Sequence, residues 1–222
     1  MNKTFEDLME KTGEYGVVYQ VSHPIVFIEG LPKVKTHEVV MFETGQKGEV
    51  FTINRGKIEA RVFSHEPIRV GTRVARTDQL LSVPVGPELL GQTITPLGEP
   101  LDPTVSFTPP KELRDLDVKP LGISARQKIS TPLATGITLV DLLIPLGRGQ
   151  RELIIGDRKT GKTSLLMTTI RKQVDEGVVA IYAAIAKKKS EIKKLQAFFE
   201  SEGIKDKVII VTGSCTGIGK AI

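Results

Sequence analysis

A single cysteine, Cys215, stands among the 222 residues, so no intrachain disulfide can form and cysteine usage gives no sign of an oxidising compartment. A cytosolic setting is expected. The chain does not open on a long apolar run either. Residues 1–13 hold Glu6, Asp7 and Glu10 among few apolar side chains, which fits neither a signal peptide nor a membrane span. Work at a membrane would then depend on partners that hold the chain there. The three histidines, His23, His37 and His65, are scattered at no metal-ligand spacing and are expected on surfaces or turns of β segments. Aromatic residues are 5% of the chain and do not interleave with its lysines, which leaves no stacking platform for single-stranded nucleic acid.

What is present suits a soluble globular protein. With 40% hydrophobic and 26% charged residues, the chain can bury one sizeable core or two modest ones. A net charge of +5 permits contact with nucleic acid or acidic lipid, but a solvated basic face is the commoner cause of such an excess. From Tyr15 to about Leu81, β-rich runs at 17–21, 25–28 and 39–42 alternate with Gly30, Gly45, Gly48, Gly56 and Gly71. That spacing predicts a small barrel or sandwich. Pro103, Pro109, Pro110, Pro120 and Pro132 then mark an extended connector over a domain surface. Ile137, Val140 and Leu143 fall at helical spacing, with Pro145 as the stop. Beyond Gln150 the pattern is strand (153–155), helix to about 174, strand (178–185), helix with Ile192, Leu195 and Phe199 inward, and strand (208–211). Such alternation predicts a parallel sheet with right-handed crossovers. Three strands and a ragged end make an incomplete domain, so a fragment or truncated product is expected.

Between the first of these strands and its helix lies Gly156-Asp157-Arg158-Lys159-Thr160-Gly161-Lys162-Thr163, which fits G-x-x-x-x-G-K-[ST] in the strand-loop-helix context that the motif requires. Successive backbone N–H groups and the positive end of the helix dipole would converge on phosphates, and glycine lets the backbone approach closely. Lys162 would neutralise the β and γ oxygens, and the Thr163 hydroxyl would ligate Mg²⁺. The candidate nucleotide-binding residues are therefore Gly156 through Thr163 and the adjoining Ser164, with Thr163 also the candidate metal ligand and no catalytic residue assigned.

The stretch "IPLGRGQRELIIGDRKTGKTS" resembles the phosphate-loop region of the alpha subunit of F-type ATP synthase, where G-D-R-Q-T-G-K-T is usual. The resemblance extends through "VPVGPELLGQTITPLGEPLD", "TPLATGITLVDLLIPLGRGQ" and "IYAAIAKKKS". It implies a fold of mixed class, α/β plus all-β. A tail (1–14) precedes a small N-terminal β-barrel (15–81) and an incomplete phosphate-loop, RecA-like nucleotide-binding domain with a parallel sheet (82–222), and the C-terminal helical domain is absent. It also implies ATP or ADP with Mg²⁺ as ligands. The implied partners are beta-type catalytic subunits in an alternating hexameric ring, a central stalk subunit and a peripheral stalk subunit. The complex would lie at the cytoplasmic face of the cell membrane, an organellar inner membrane being the alternative, with no nucleic acid bound. In the family's catalytic beta subunit a glutamate follows the strand after the phosphate-loop helix, and in alpha a glutamine. The matching residue here is Lys187, which cannot serve as that carboxylate. Lys159 likewise replaces the loop glutamine. These departures imply a chain that holds nucleotide without hydrolysing it.

Three other readings stand beside this one. The chain could be a structural ring component whose barrel is the functional module, or a homohexameric RNA-dependent or secretion-type ATPase. The T-G-x-x-x-G-x-G spacing within "VIIVTGSCTGIGKAI" suggests the third, a short-chain dehydrogenase, but that family places the motif near its N-terminus, and a glycine-rich turn after a strand explains the same residues. The basic cluster Lys187, Lys188, Lys189, Lys193 and Lys194 is read as a solvated face, with nucleotide, a partner subunit or nucleic acid as the functional alternatives.

Overall fold

The computed structural model describes residues 4–213, apart from 65, 103, 117 and 119. The expected turn at 212–219 thus lies, beyond Gly213, outside the described residues, as do Cys215, His65 and Pro103.

The chain begins with helix α1 (Phe5–Thr12), which the reading of the tail missed. Its start is fixed by reciprocal capping: the Thr4 hydroxyl accepts the Asp7 N–H, and the Asp7 carboxylate accepts the Thr4 N–H. Gly13, in the left-handed conformation, closes it by donating to the Met9 carbonyl. Leu8 is the apolar side chain that this helix buries.

Six strands follow: β1 (Tyr15–Ser22), β2 (Ile25–Glu29), β3 (Glu38–Phe42), β4 (Lys47–Asn54), β5 (Lys57–Val62) and β6 (Arg73–Leu80). They close into a barrel in the order β1-β2-β5-β4-β3-β6, with β6 returning to β1 through Tyr15↔Ala75. Closure removes the free edges that an open sheet would expose. Alternation fills the interior: Val40 and Phe42 of β3, Val50 of β4 and Ile58 and Ala60 of β5 are fully buried in one cluster. Gly16 is required where β1 crosses β2, because a Cβ there would lie 2.8 Å from the Glu29 carbonyl oxygen.

The proline-rich connector is not featureless. Strands β7 (Ser82–Val85) and β9 (Glu112–Asp115) pair antiparallel, and between them runs the short strand β8 (Thr93–Ile94). Leu113, Leu116 and Leu121 are solvent-exposed, as a surface connector predicts. Strands β10 (Pro132–Leu133) and β11 (Leu146–Gly147) flank helix α2 (Thr138–Leu143). That helix forms at the expected place, yet Leu139, Leu142 and Leu143 face solvent.

The α/β part consists of helix α3 (Lys162–Asp175), strand β12 (Ala180–Ile185), helix α4 (Lys189–Ser201) and strand β13 (Val208–Gly213). β12 and β13 are parallel, as expected, and the third strand of this sheet is β8, also parallel to β13. The expected strand at 153–155 does not form. Leu153 and Ile155 are 77% and 83% exposed, and no described strand runs beside them. Apolar residues give a segment the propensity for a strand, but the ladder needs a neighbour to supply its hydrogen bonds. Ile192, Leu195 and Phe199 of α4 are buried against β12 and β13, together with Met167 of α3.

Candidate nucleotide site

Helix α3 runs antiparallel to β12, which follows it after the turn at Gly177, and α3 packs on the sheet through Met167 and Val174. Its first residue, Lys162, therefore lies at the carboxyl end of β12. Helix α4 starts from that same end. In open α/β sheets this is the end at which ligands gather. Polar contacts anchor α3: the buried Gln173 side chain donates to the Ala134 carbonyl at 2.8 Å, Arg148 pairs with Glu176 at 2.9 Å, and Arg171 pairs with Glu202 at 3.0 Å.

The loop before α3 is exposed and folded on itself. Gly156 and Asp157 are irregular, residues 158–160 turn, and Gly161 caps the helix at φ 90°. Lys159 also sits in the left-handed region, at φ 66°, a conformation seldom adopted by a residue with a Cβ. The Lys162 ammonium bends back over the loop and donates to the Gly156 carbonyl at 2.6 Å, to the Asp157 carbonyl, and at 3.4 Å to the Thr160 hydroxyl. The Thr160 hydroxyl itself donates to the Asp157 carbonyl at 2.8 Å. Gly156 is closely covered, since a Cβ there would lie 2.8 Å from Thr160 Oγ1. Gly156, Asp157, Thr160 and Lys162 are thus brought together, with Arg158 and Lys159 exposed in the turn. Thr163 and Ser164 stand exposed on the first helical turn, where backbone N–H groups have no acceptor within the helix.

This arrangement can receive an anion. The Gly156 and Asp157 carbonyls are the acceptors that phosphate oxygens would replace at the Lys162 ammonium, and the first-turn N–H groups are anion donors of the same helix end. The donor set fits Mg²⁺ as an ion carried in with phosphates. Thr163 offers one exposed hydroxyl, and among the described residues no group of three His, Cys, Asp or Glu could hold a metal by itself. Mg²⁺ commonly keeps such a mixed shell of water, phosphate and few protein ligands.

Lys187 follows β12 after Ala186, which takes a left-handed φ of 59° and donates its N–H to the Gly213 carbonyl. Its ammonium lies 3.9 Å from Glu191, with both side chains substantially exposed. The Lys188 N–H, bonded to the Glu191 carboxylate, holds that carboxyl below its usual range, and Lys187, Lys188 and Lys194 add to the effect. The cluster thus has Glu191 as counter-charge at the head of α4, as its solvated-face reading expects.

Two features that hold the site lay outside the sequence reading. Asp141 accepts the Thr135 N–H at 2.8 Å, the Thr135 hydroxyl at 2.7 Å and the Gly136 N–H at 3.1 Å. Gly136 in turn packs closely on α3 at Lys172. The other is Gln173. Neither belongs to a motif, since each works through a contact that only the fold creates. Of the histidines, His23 lies between β1 and β2, and His37 precedes β3 with its Nδ1 2.9 Å from Glu49.

Residues 136–217 match the model of the ATP synthase alpha/beta family, nucleotide-binding domain. The matched span starts at the Gly136 turn and takes in the loop, α3, β12, α4 and β13.

Proposed function

We propose that this chain is a non-catalytic, alpha-type nucleotide-binding subunit of the rotary ATP synthase headpiece. It would hold ATP or ADP with Mg²⁺ through Gly156 to Ser164 and support ATP synthesis coupled to proton transport. The observation that carries this reading is the loop itself: a glycine-flanked turn closed by the Lys162 ammonium at the head of α3, within a segment similar to the ATP synthase alpha/beta nucleotide-binding domain. Lys162 would exchange its two carbonyl acceptors for β and γ oxygens, the stronger, charge-assisted partners. Gly161 and the first turn of α3 would supply backbone donors, and the Thr163 hydroxyl would help to hold Mg²⁺, which would supply positive charge against the phosphates.

The non-catalytic assignment rests on Lys187. Hydrolysis needs a group that positions and polarises water, and the position that the resemblance assigns to that group holds an ammonium. The nearby Glu191 carboxylate is already engaged with the Lys188 N–H and with Lys187. Partners would be beta-type catalytic subunits alternating in a ring, a central stalk and a peripheral stalk. The exposed apolar residues Leu139, Leu142 and Ile155 support burial in such an assembly. The division into a barrel domain (15–81) and a nucleotide-binding domain (82–222) belongs to this reading, as do membrane contact only through the complex, placement at its cytoplasmic face and the lack of nucleic acid.

The test is calorimetric titration of the chain with Mg-ATP beside Lys162→Ala, with phosphate release followed on the same samples. Saturable binding is expected in the wild type, weakened about tenfold or more in the variant by loss of a charge-assisted contact, with phosphate release at background in both. Equal affinity in the two proteins would remove the loop from the reading, and turnover that vanishes in the variant would make the site catalytic.

A further inference from the structure

The Thr160 side chain is turned into the phosphate loop. Its hydroxyl donates to the Asp157 carbonyl at 2.8 Å and accepts, at 3.4 Å, from the Lys162 ammonium. It also lies over Gly156, where the nearest atom that an added Cβ would meet is Thr160 Oγ1 at 2.8 Å. A threonine hydroxyl bonded to a carbonyl three residues back fixes a turn from within. The Asp157 carbonyl therefore has two side-chain donors, Thr160 and Lys162. The Gly156 carbonyl accepts from Lys162 as well.

The two donors do not serve the same state. A phosphate that draws Lys162 away leaves both carbonyls without their ammonium, and the Thr160 bond is then the side-chain contact that keeps the turn at 157–160 closed. We propose that Thr160 is a positioning residue: its hydroxyl, held by the Asp157 carbonyl, preserves the shape of the loop while Lys162 transfers to phosphate. The proposal rests on the nucleotide-binding reading above and adds to it the residue that preorganises the loop. A loop held in shape before binding has less ordering to undergo when the ligand arrives, and affinity rises accordingly. Because the hydroxyl acts through the turn and not on one particular phosphate, its effect falls equally on nucleoside diphosphate and triphosphate.

The experiment titrates the full chain with Mg-ATP and with Mg-ADP, as wild type, Thr160→Val and Thr160→Ser. Thr160 is solvent-exposed and belongs to no apolar cluster, so replacing its hydroxyl by a methyl leaves the cores untouched, and circular dichroism checks the fold. The valine variant should bind both ligands about fivefold more weakly, as expected for the loss of one neutral hydrogen bond. The serine variant, which keeps the hydroxyl, should stay within about twofold of wild type. Wild-type affinity in the valine variant would overturn the inference and leave the nucleotide reading standing, and so would a serine variant no better than valine. A loss for ATP with none for ADP would overturn it too, because the hydroxyl would then be a direct contact of the γ phosphate. Absence of binding by the wild type would overturn the nucleotide reading itself, and this inference with it.

Discussion

Asp141 shows how one side chain fixes the ground on which the site stands. The Thr135 hydroxyl, then the Thr135 N–H, then the Gly136 N–H bond to its carboxylate and hold the carboxyl below the ordinary aspartate range. Thr135 is fully buried, so its hydroxyl needs that partner. Because the folded-state value is depressed, the stabilisation is present above the unfolded value and is lost as pH falls through the folded one. In Asp141→Asn an amide replaces the carboxylate, with no charge to lose. Amide exchange at Gly136 and Ile137 should therefore be faster than in wild type at neutral pH, and the difference should shrink as the medium is acidified through the carboxyl's titration. A difference that persists unchanged into acid would show that the carboxylate's charge does not hold this turn. Nothing in the local sequence announces the contact, whereas Lys162 is legible from its motif alone.

At the scale of elements, the barrel was legible because it is built from local signals. Along Lys57–Val62 the buried positions follow the alternation of apolar residues, Glu38–Phe42 is a short run rich in apolar residues, and glycines mark the turns. The polar feature within it was not legible, since it joins residues far apart in the chain. Arg76 of β6 donates to Glu38 of β3 at 3.0 Å, to Glu14 at 3.1 Å and to Asp78 at 2.9 Å. Glu38, only 2% exposed, also accepts the N–H groups of Lys35 and Asp78. Arg76→Ala would strand a buried carboxylate, and the cost for such a loss is about 3–5 kcal/mol. Urea unfolding of the barrel should show it, while Arg73→Ala on the exposed Arg73–Glu43 pair should cost far less, because solvent screens an exposed ion pair. Equal effects from the two would mean that the buried network adds nothing special. The converse case is 153–155, where local propensity is high yet no described strand runs beside it. Propensity was readable there, and pairing was not.

For the whole molecule, the apolar cores are separate. The barrel cluster draws its members from Val18 to Val74, and the α/β cluster from Met167 to Ile210, with no residue in common. Their completeness differs too. The barrel is closed on itself, whereas β12 is an edge strand whose Ile181 and Ile185 remain exposed on the side away from α3 and α4. A sheet with an open edge and a part-covered face buries less apolar surface per residue, so it should open at lower free energy than the barrel. Nucleotide bound at the head of α3 would stabilise the unit that forms its site, by about 2.7 kcal/mol at a hundred times the dissociation constant. Hydrogen exchange resolved by peptide can test both statements. Peptides from α3, β12 and α4 should exchange faster than those from the barrel strands in free protein. Saturating Mg-ATP should slow them by up to about a hundredfold while barrel peptides change little. Equal slowing throughout would show instead that barrel and sheet open as one cooperative unit.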